Sequence, residues 1–150
     1  DLVQKIKDSA AFHEGMQTLR QLSFGFLDMA WHGIDPTDVV DVKSHELKAF
    51  EGTQLFPDVA ENCMSTSFSH IFQGGYSSGY YSYKWAEVLD ADAFEFFQEK
   101  GIFDQEVATK FKDNVLSKGG IEDPMVLYKR FRGKEPGPDA LLKRAGLIEK

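Results

Sequence analysis

The chain has 150 residues, of which 42% are hydrophobic, and it carries a formal net charge of −7 at pH 7. This is the size of one ordinary domain, and the apolar content is enough to bury a core, which argues against intrinsic disorder. The acidic balance argues against a nucleic-acid partner, and the absence of any apolar run near the ~20 residues that cross a bilayer argues against a membrane partner.

The first third of the chain has the apolar period of a helix. One face carries Phe12, Met16, Leu19, Leu22, Phe26 and Ala30, and a second carries Phe24, Leu27 and Trp31. A helix that is apolar on two sides is either deeply buried or has lost a partner.

A shorter helix is expected next. Asp35 followed by Pro36 has the pattern of an N-cap with proline at the first helical position, and the helix should run to about Phe50. Residues 51–64 show no period and predict an ordered loop. The pattern over residues 65–72 suits a short extended piece but does not decide its structure.

The last 70 residues predict four capped helices. They are residues 80–100 with Leu89, Ala93, Phe94 and Phe97 on the apolar stripe and Gly101 as the stop, a helix from Asp104 to Gly119, one from Asp123 to Gly133, and one from Pro138 to Gly146. The sequence therefore predicts an all-α fold, with residues 1–150 forming a single helical domain.

Residues 74–83 read GGYSSGYYSY, with three glycines and four tyrosines in ten positions. Glycine permits positive φ and close backbone approach, and the tyrosine hydroxyl remains a hydrogen-bond donor at neutral pH. If a helix begins near Tyr76, then Tyr76, Tyr80 and Tyr83 share one face, and Tyr81 points elsewhere into packing. Three hydroxyls behind a Gly-Gly hinge could close over a bound chain and donate to its oxygens.

His70 lies just upstream and is a second candidate donor or a proton-transfer group. The plainer interpretation is that these tyrosines are amphipathic packing with solvated hydroxyls, and that a lone histidine is structural. The residue pattern by itself leaves both interpretations open.

The segment FSHIFQGGYSSGYYSYKW, residues 68–85, resembles the signature near the C-terminal end of the thimet oligopeptidase family of zinc metallopeptidases. The later segments GIFDQEVATKFKDNVLSKGG, DPMVLYKRFRG and PDALLKRAGL resemble that family's ending, and FGFLDMAWHG upstream is similar as well. The resemblance implies the C-terminal portion of an elongated, helical, zincin-like fold, with the Gly/Tyr-rich segment lining a channel for short peptides.

The resemblance also implies roles for the residues of this segment. Tyr83 would stabilise the tetrahedral oxyanion with His70 and Tyr76 assisting, and Tyr80 would contact the substrate. The glycines would let the loop move, and they are Gly74, Gly75 and Gly79. The family holds one zinc ion on an HExxH helix and a downstream glutamate.

Neither His-Glu pair of this chain completes a zinc motif. His13-Glu14 and His45-Glu46 each lack a second histidine four residues after the first, whereas HExxH places two imidazoles on one helical face. We therefore expect a C-terminal fragment that binds no metal and is inactive alone, with zinc held by the remaining part of a longer parent protein. The two-sided apolar helix would then pack on that part or mediate self-association.

Two other functions compete with this one. The chain could be a free-standing helical module that binds proteins or peptides, or the tyrosines could stack on single-stranded nucleic acid, against which the acidic charge argues. The resemblance of the C-terminal segments to the thimet oligopeptidase family favours removal of C-terminal dipeptides over endopeptidase cleavage.

The single cysteine, Cys63, cannot form an internal disulfide. A lone cysteine fits the cytoplasm, with the periplasm as the alternative.

Overall fold

A computed structural model describes residues 1–38 and 40–149 of the chain. Every regular element within these residues is helical and none is a strand, so the predicted all-α class is confirmed. The chain divides into two compact units, Asp1–Trp85 and Ala86–Lys150. The single helical domain over residues 1–150 stays a prediction. No helix in the described part of the chain is long and apolar enough to cross a membrane.

The first unit is built on a small apolar core. Its elements are α1 (Leu2–Ala10), α2 (Glu14–His32), α3 (Val42–Phe50), α4 (Met64–Ser67), a 3-10 turn (Ser69–Ile71) and the first residues of α5 (Ser82–Lys100). Leu27 and Ile71 are fully buried at the centre, beside Phe68. Full burial of a side chain such as Leu27 contributes roughly 2 kcal/mol, so α2 is held to the 3-10 turn mainly through these contacts.

Only one of the two predicted apolar faces of α2 packs into this core. Leu27 lies at the core, whereas Phe26, on the other predicted face, is 53% exposed. Phe12 is not on the helix as predicted, because the backbone turns at His13 (φ 58°) and α2 begins at Glu14. Side chains of the second predicted face are therefore exposed among the described residues, and the role of this face in packing or self-association stays a prediction.

The helix predicted after Pro36 begins later than expected. The Asp35 carboxylate accepts hydrogen bonds from the backbone N–H and the hydroxyl of Thr37, at 2.9 and 2.6 Å. These bonds close a local turn, so Asp35 does not cap a helix. Asp41 is the N-cap instead, since its carboxylate accepts from the Ser44 N–H and α3 starts at Val42. Part of the predicted stretch, residue 39, lies outside the described residues.

The segment between α3 and α5 is irregular where a loop was predicted. Residues 51–63 form turns and bends, and Lys43 donates to Asp58 at 2.8 Å, which ties this loop to α3. The undecided stretch over residues 65–72 is not extended. It forms the short helix α4 and the 3-10 turn, which place Phe68 and Ile71 in the core.

The second unit confirms the four predicted helices. Besides α5, they are α6 (Gln105–Phe111) with its π-helical continuation (Lys112–Leu116), α7 (Pro124–Arg132) and α8 (Asp139–Arg144). Asp104 and Asp123 cap α6 and α7 through their side chains, and Gly133 ends α7 with a left-handed backbone (φ 86°). These caps satisfy the free N–H groups at each helix start.

The core of the second unit is largely aromatic. Val107, Tyr128 and Phe131 are buried, and Phe96 and Phe97 of α5 pack against them. The prediction that Phe94 lies on this stripe is wrong, since its side chain is 45% exposed. The other three residues of the predicted stripe, Leu89, Ala93 and Phe97, do pack against this core. The most deeply buried residues of α5 are Ala91 and Asp92.

Candidate functional site

The Gly/Tyr loop, residues 74–83, is a series of turns that leads into α5. The Gly79 N–H donates to the Tyr76 carbonyl at 2.9 Å, the Ser82 N–H donates to the Gly79 carbonyl at 3.1 Å, and α5 begins only at Ser82. The premise that a helix starts near Tyr76 is therefore wrong. The i, i+4, i+7 spacing does not explain where the tyrosines lie.

The turns nevertheless bring the predicted side chains together. The Tyr76 and Tyr83 rings stack with centroids 5.6 Å apart, and the Tyr80 and Tyr83 centroids are 5.1 Å apart. The His70 ring lies 6.3 Å from the Tyr76 ring. We call His70, Tyr76, Tyr80 and Tyr83 the tyrosine cluster, because the four side chains form one contiguous group.

The tyrosine cluster is anchored on one side and open on the other. The Tyr80 ring packs edge-on against Phe24 and Phe68, at 5.8 and 5.0 Å between centroids. His70 is exposed and Tyr83 is 46% exposed. A ligand could therefore approach the hydroxyl of Tyr83 and the imidazole of His70 while Tyr80 fixes the group to the core.

The hydroxyl of Tyr83 stays protonated over the physiological range. Its hydrogen bond with the Tyr76 side chain, together with partial burial and the two neighbouring phenols, raises its pKa above the usual value near 10. A neutral phenol is a hydrogen-bond donor. Near neutrality Tyr83 can therefore donate to a carbonyl or an oxyanion when that oxygen replaces the Tyr76 oxygen as the acceptor of its single proton.

Two of the three glycines in the loop have conformations that favour glycine. Gly74 and Gly75 have φ of 79° and 83°, a region that side chains with a Cβ rarely adopt. Gly79 has no positive φ, and a Cβ built on it would meet the Tyr76 carbonyl oxygen at an ordinary 3.5 Å. The left-handed position nearby is occupied instead by Ser78, with φ of 57°.

Tyr81 lies outside the tyrosine cluster. It was expected to point into packing, but the residue is 59% exposed. Its Cα and Cβ atoms lie close to α2, since a Cβ built on Gly25 would be 3.6 and 3.7 Å from them. The expectation failed because the loop turns at this point and does not present a helical face.

Asp28 is the residue of this region that the sequence pattern did not single out. It is fully buried on α2, and its carboxylate accepts hydrogen bonds from the backbone N–H groups of Ser78 and Tyr80 at 2.8 and 2.9 Å. Its position four residues after Phe24 and three before Trp31 puts a carboxylate on an apolar helix face. The sequence signal that could have identified Asp28 is a carboxylate on an apolar helix face, because a carboxylate buried there needs hydrogen-bond partners.

The His-Glu pairs are used in packing and hydrogen bonding. The His45 ring packs 4.4 Å from the Trp31 ring, and the buried Glu46 carboxylate accepts from the N–H and hydroxyl of Ser65 at 2.6 and 2.7 Å. Although burial raises the pKa of Glu46, these hydrogen bonds and Lys43 hold it below its ordinary value. In residues 1–38 and 40–149, no group of three or more His, Cys, Asp or Glu side chains could hold a metal ion.

The sequence comparisons match almost the whole chain to one family. The model of peptidase family M3 matches residues 1–147. The chain is 40% identical over 148 residues to oligopeptidase A of Salmonella typhimurium, which covers 98% of this chain and 22% of that protein. It is 44% identical over 138 residues to oligopeptidase A of Haemophilus influenzae, covering 91% of this chain and 20% of that protein.

A second kind of relative matches the same residues. Dipeptidyl carboxypeptidase of Escherichia coli is 35% identical over 149 residues, covering 98% of this chain and 22% of that protein. The chain thus spans about a fifth of the length of the relatives that it matches.

Proposed function

The chain belongs to peptidase family M3, and we propose that it is the substrate-binding and oxyanion-stabilising portion of a longer zinc-dependent peptidase that hydrolyses short peptides. We call that longer protein the parent peptidase. The observation that carries the proposal is the convergence of His70, Tyr76, Tyr80 and Tyr83 into one partly open group.

In this proposal the tyrosine cluster supplies hydrogen-bond donors to the scissile peptide. Tyr83 donates to the oxygen on which negative charge develops, assisted by His70 and Tyr76. A donor that is already oriented costs little reorganisation when the charge forms. Tyr80 contacts the substrate chain, while Gly74, Gly75 and Gly79 let the loop adjust around it.

The described residues do not fit a zinc site. The two His-Glu pairs lack a second histidine, and Glu46 already accepts three hydrogen bonds, from the Ser65 N–H and hydroxyl and from the Cys63 thiol. We therefore assign no step of the chemistry to zinc in this chain, and we propose that the remaining part of the parent peptidase holds it. The chain alone is expected to be inactive.

The test of this function is a pair of tyrosine variants in the parent peptidase. Tyr83→Phe removes one donor, and we expect kcat to fall by roughly 100-fold or more, the usual effect of losing one oxyanion donor. Tyr81→Phe is the matched control, because Tyr81 lies outside the tyrosine cluster, and its kcat should stay within about twofold of the wild type. Unchanged turnover of Tyr83→Phe would refute the role of Tyr83.

A second measurement addresses the division of labour between this chain and the parent. The 150-residue chain, supplied with zinc and a fluorogenic peptide, should release no product. Zinc-dependent hydrolysis by the chain alone would refute our interpretation of the metal ligands.

The two kinds of relative bear on the cleavage that the parent performs. Relatives of both kinds match the same residues, so we propose that the parent acts either as an oligopeptidase or by releasing C-terminal dipeptides. A peptide with an amidated C-terminus separates the two, because an enzyme that must bind the terminal carboxylate loses that charged contact. We also propose a cytoplasmic location, which cell fractionation can test.

The exposed apolar face of α2 favours an alternative function as a helical interaction module. Met16, Phe26 and Met29 are 37%, 53% and 48% exposed, an arrangement suited to a partner surface. In the peptidase this face would instead pack on the rest of the parent, or associate with a second copy. The coding sequence distinguishes the two: an HExxH motif encoded upstream of Asp1 supports the peptidase, and a natural start at Asp1 supports the module.

A further inference from the structure

Asp28 connects α2 to the Gly/Tyr loop through both of its carboxylate oxygens. Oδ1 accepts from the Ser78 N–H at 2.8 Å and Oδ2 accepts from the Tyr80 N–H at 2.9 Å. His32, one turn further along α2, places its Nδ1 2.8 Å from Oδ1. The carboxyl group is completely buried, so its oxygens take their hydrogen bonds from the protein and not from bulk water.

The loop needs such a restraint at Ser78. Ser78 has φ of 57°, a left-handed conformation that is unfavourable for a residue with a Cβ and persists only where the surroundings enforce it. The Ser78 amide donates one of the two backbone hydrogen bonds that the Asp28 carboxylate accepts. The carboxylate therefore stabilises the left-handed conformation of Ser78, which is unfavourable without this hydrogen bond.

The restraint also determines where the tyrosines lie. Tyr80, whose amide is the second donor to Asp28, contacts Phe68 on one side and Tyr83 on the other. Ser78 lies between Tyr76 and Tyr80 in the chain, so the turn at Ser78 sets the separation of those two rings, which is 6.3 Å between centroids. A change of backbone at Ser78 or Tyr80 would move the hydroxyls of the tyrosine cluster.

We propose that Asp28 is a positioning residue for the tyrosine cluster: by holding the Ser78 and Tyr80 amides, it fixes the donors in the arrangement that the reaction requires. The reaction is the peptide hydrolysis of the proposed function, on which this role rests. Asp28 is fully buried and acts through the two amides without touching the substrate. Small displacements of catalytic groups are costly, since about 1 Å can reduce the rate by roughly 100-fold.

The variant that tests this role is Asp28→Asn in the parent peptidase. Asparagine has nearly the same volume but replaces one acceptor oxygen by an NH2 group, which would face a backbone N–H. Hydrogen exchange of the amides over residues 76–81 should become about tenfold faster. The value of kcat should fall by about 10-fold to 100-fold, with KM changed less than about threefold, because the donors act mainly on the transition state.

Glu46→Gln is the matched control. Glu46 is likewise buried in the first unit and accepts from a backbone N–H, but that N–H belongs to Ser65, outside the Gly/Tyr loop. This variant should lose stability while exchange over residues 76–81 and kcat remain as in the wild type. Equal losses of kcat in Asp28→Asn and Glu46→Gln would overturn the proposal, as would unchanged exchange or unchanged kcat in Asp28→Asn.

The wild-type protein gives a decision even if Asp28→Asn fails to fold. With single-amide resolution, the Ser78 and Tyr80 amides should exchange at least about 100-fold more slowly than in a free peptide, although they lie on a loop. Exchange at the free-peptide rate would overturn the role of Asp28. If the wild-type parent hydrolyses no peptide, the proposed function fails, whereas the exchange measurement still decides whether Asp28 holds the loop.

Discussion

Arg132 and Arg130 lie on the same helix, α7, and each makes paired hydrogen bonds to a glutamate. Arg132 bonds Glu99 at 3.0 and 3.3 Å, and Arg130 bonds Glu122 at 2.8 and 3.2 Å. Their burial differs, because the Arg132 side chain is 5% exposed and the Arg130 side chain 45% exposed. Arg132 also bonds Asp92, whose side chain is only 3% exposed. The two arginines therefore form a matched pair for measuring the effect of burial on an ion pair.

Arg132→Met should destabilise the chain far more than Arg130→Met. Removing Arg132 leaves the buried Asp92 carboxylate without its nearest charged partner, and loss of one partner of a buried ion pair typically costs 3–5 kcal/mol. The Tyr128 hydroxyl at 2.6 Å and the Lys134 ammonium at 3.7 Å remain near Asp92, so we expect a value at the lower end, about 3 kcal/mol. An exposed pair such as Arg130 with Glu122 contributes only about 0.5 kcal/mol.

Urea unfolding followed by circular dichroism at far-ultraviolet wavelengths measures both values, since both units are helical. With an m-value of about 2 kcal/mol per molar urea, the midpoint should fall by about 1.5 M for Arg132→Met and by less than about 0.3 M for Arg130→Met. Equal shifts of the two midpoints would refute the reasoning that burial decides the contribution of these ion pairs.

Three further predictions concern single buried residues of the two units. Hydrogen bonds from Ser65 lower the pKa of Glu46 in the folded protein. The stability that they contribute is fully present above pH about 4.5 and is lost as the pH falls below it. The difference in unfolding free energy between wild type and Glu46→Gln should therefore shrink as the pH falls from about 6 to about 3. Leu27→Ala should cost about 3 kcal/mol in urea unfolding, because Leu27 is fully buried in the first core. Burial and the hydrogen bond to Asp92 raise the pKa of Tyr128 well above its usual range, so in a spectrophotometric titration Tyr128 should remain protonated until alkaline unfolding.

The capping residues explain why the second unit was predictable from sequence. Asp104 before α6, Asp123 with Pro124 before α7, and Gly133 after α7 each act within a few residues of their own position. Local hydrogen bonds and backbone preferences do not depend on the rest of the fold. The same kind of reasoning failed at Asp35. The Asp35 carboxylate accepts a hydrogen bond from the Thr37 hydroxyl within a turn, and Asp41 is the residue that caps α3.

Side-chain burial on the helices was less predictable. Periodicity indicated the apolar stripe of α5 but included Phe94, which is exposed, and gave α2 two apolar faces without saying which one is buried. Choosing between faces depends on the elements that pack there. For α2, Ile71 and Phe68 from a segment some forty residues later settle the choice.

The candidate site likewise combines features that follow from local sequence with features that depend on tertiary contacts. The left-handed backbone at Gly74 and Gly75 agrees with the sequence, because glycine adopts positive φ more readily than any other residue. The clustering of Tyr76, Tyr80 and Tyr83 depends instead on turns and on the buried Asp28, fifty residues before Ser78. The sequence by itself determined which tyrosines and glycines the loop carries, whereas the arrangement of the tyrosines was decided by tertiary contacts, because hydrogen bonds between segments distant in the chain leave no local periodic pattern.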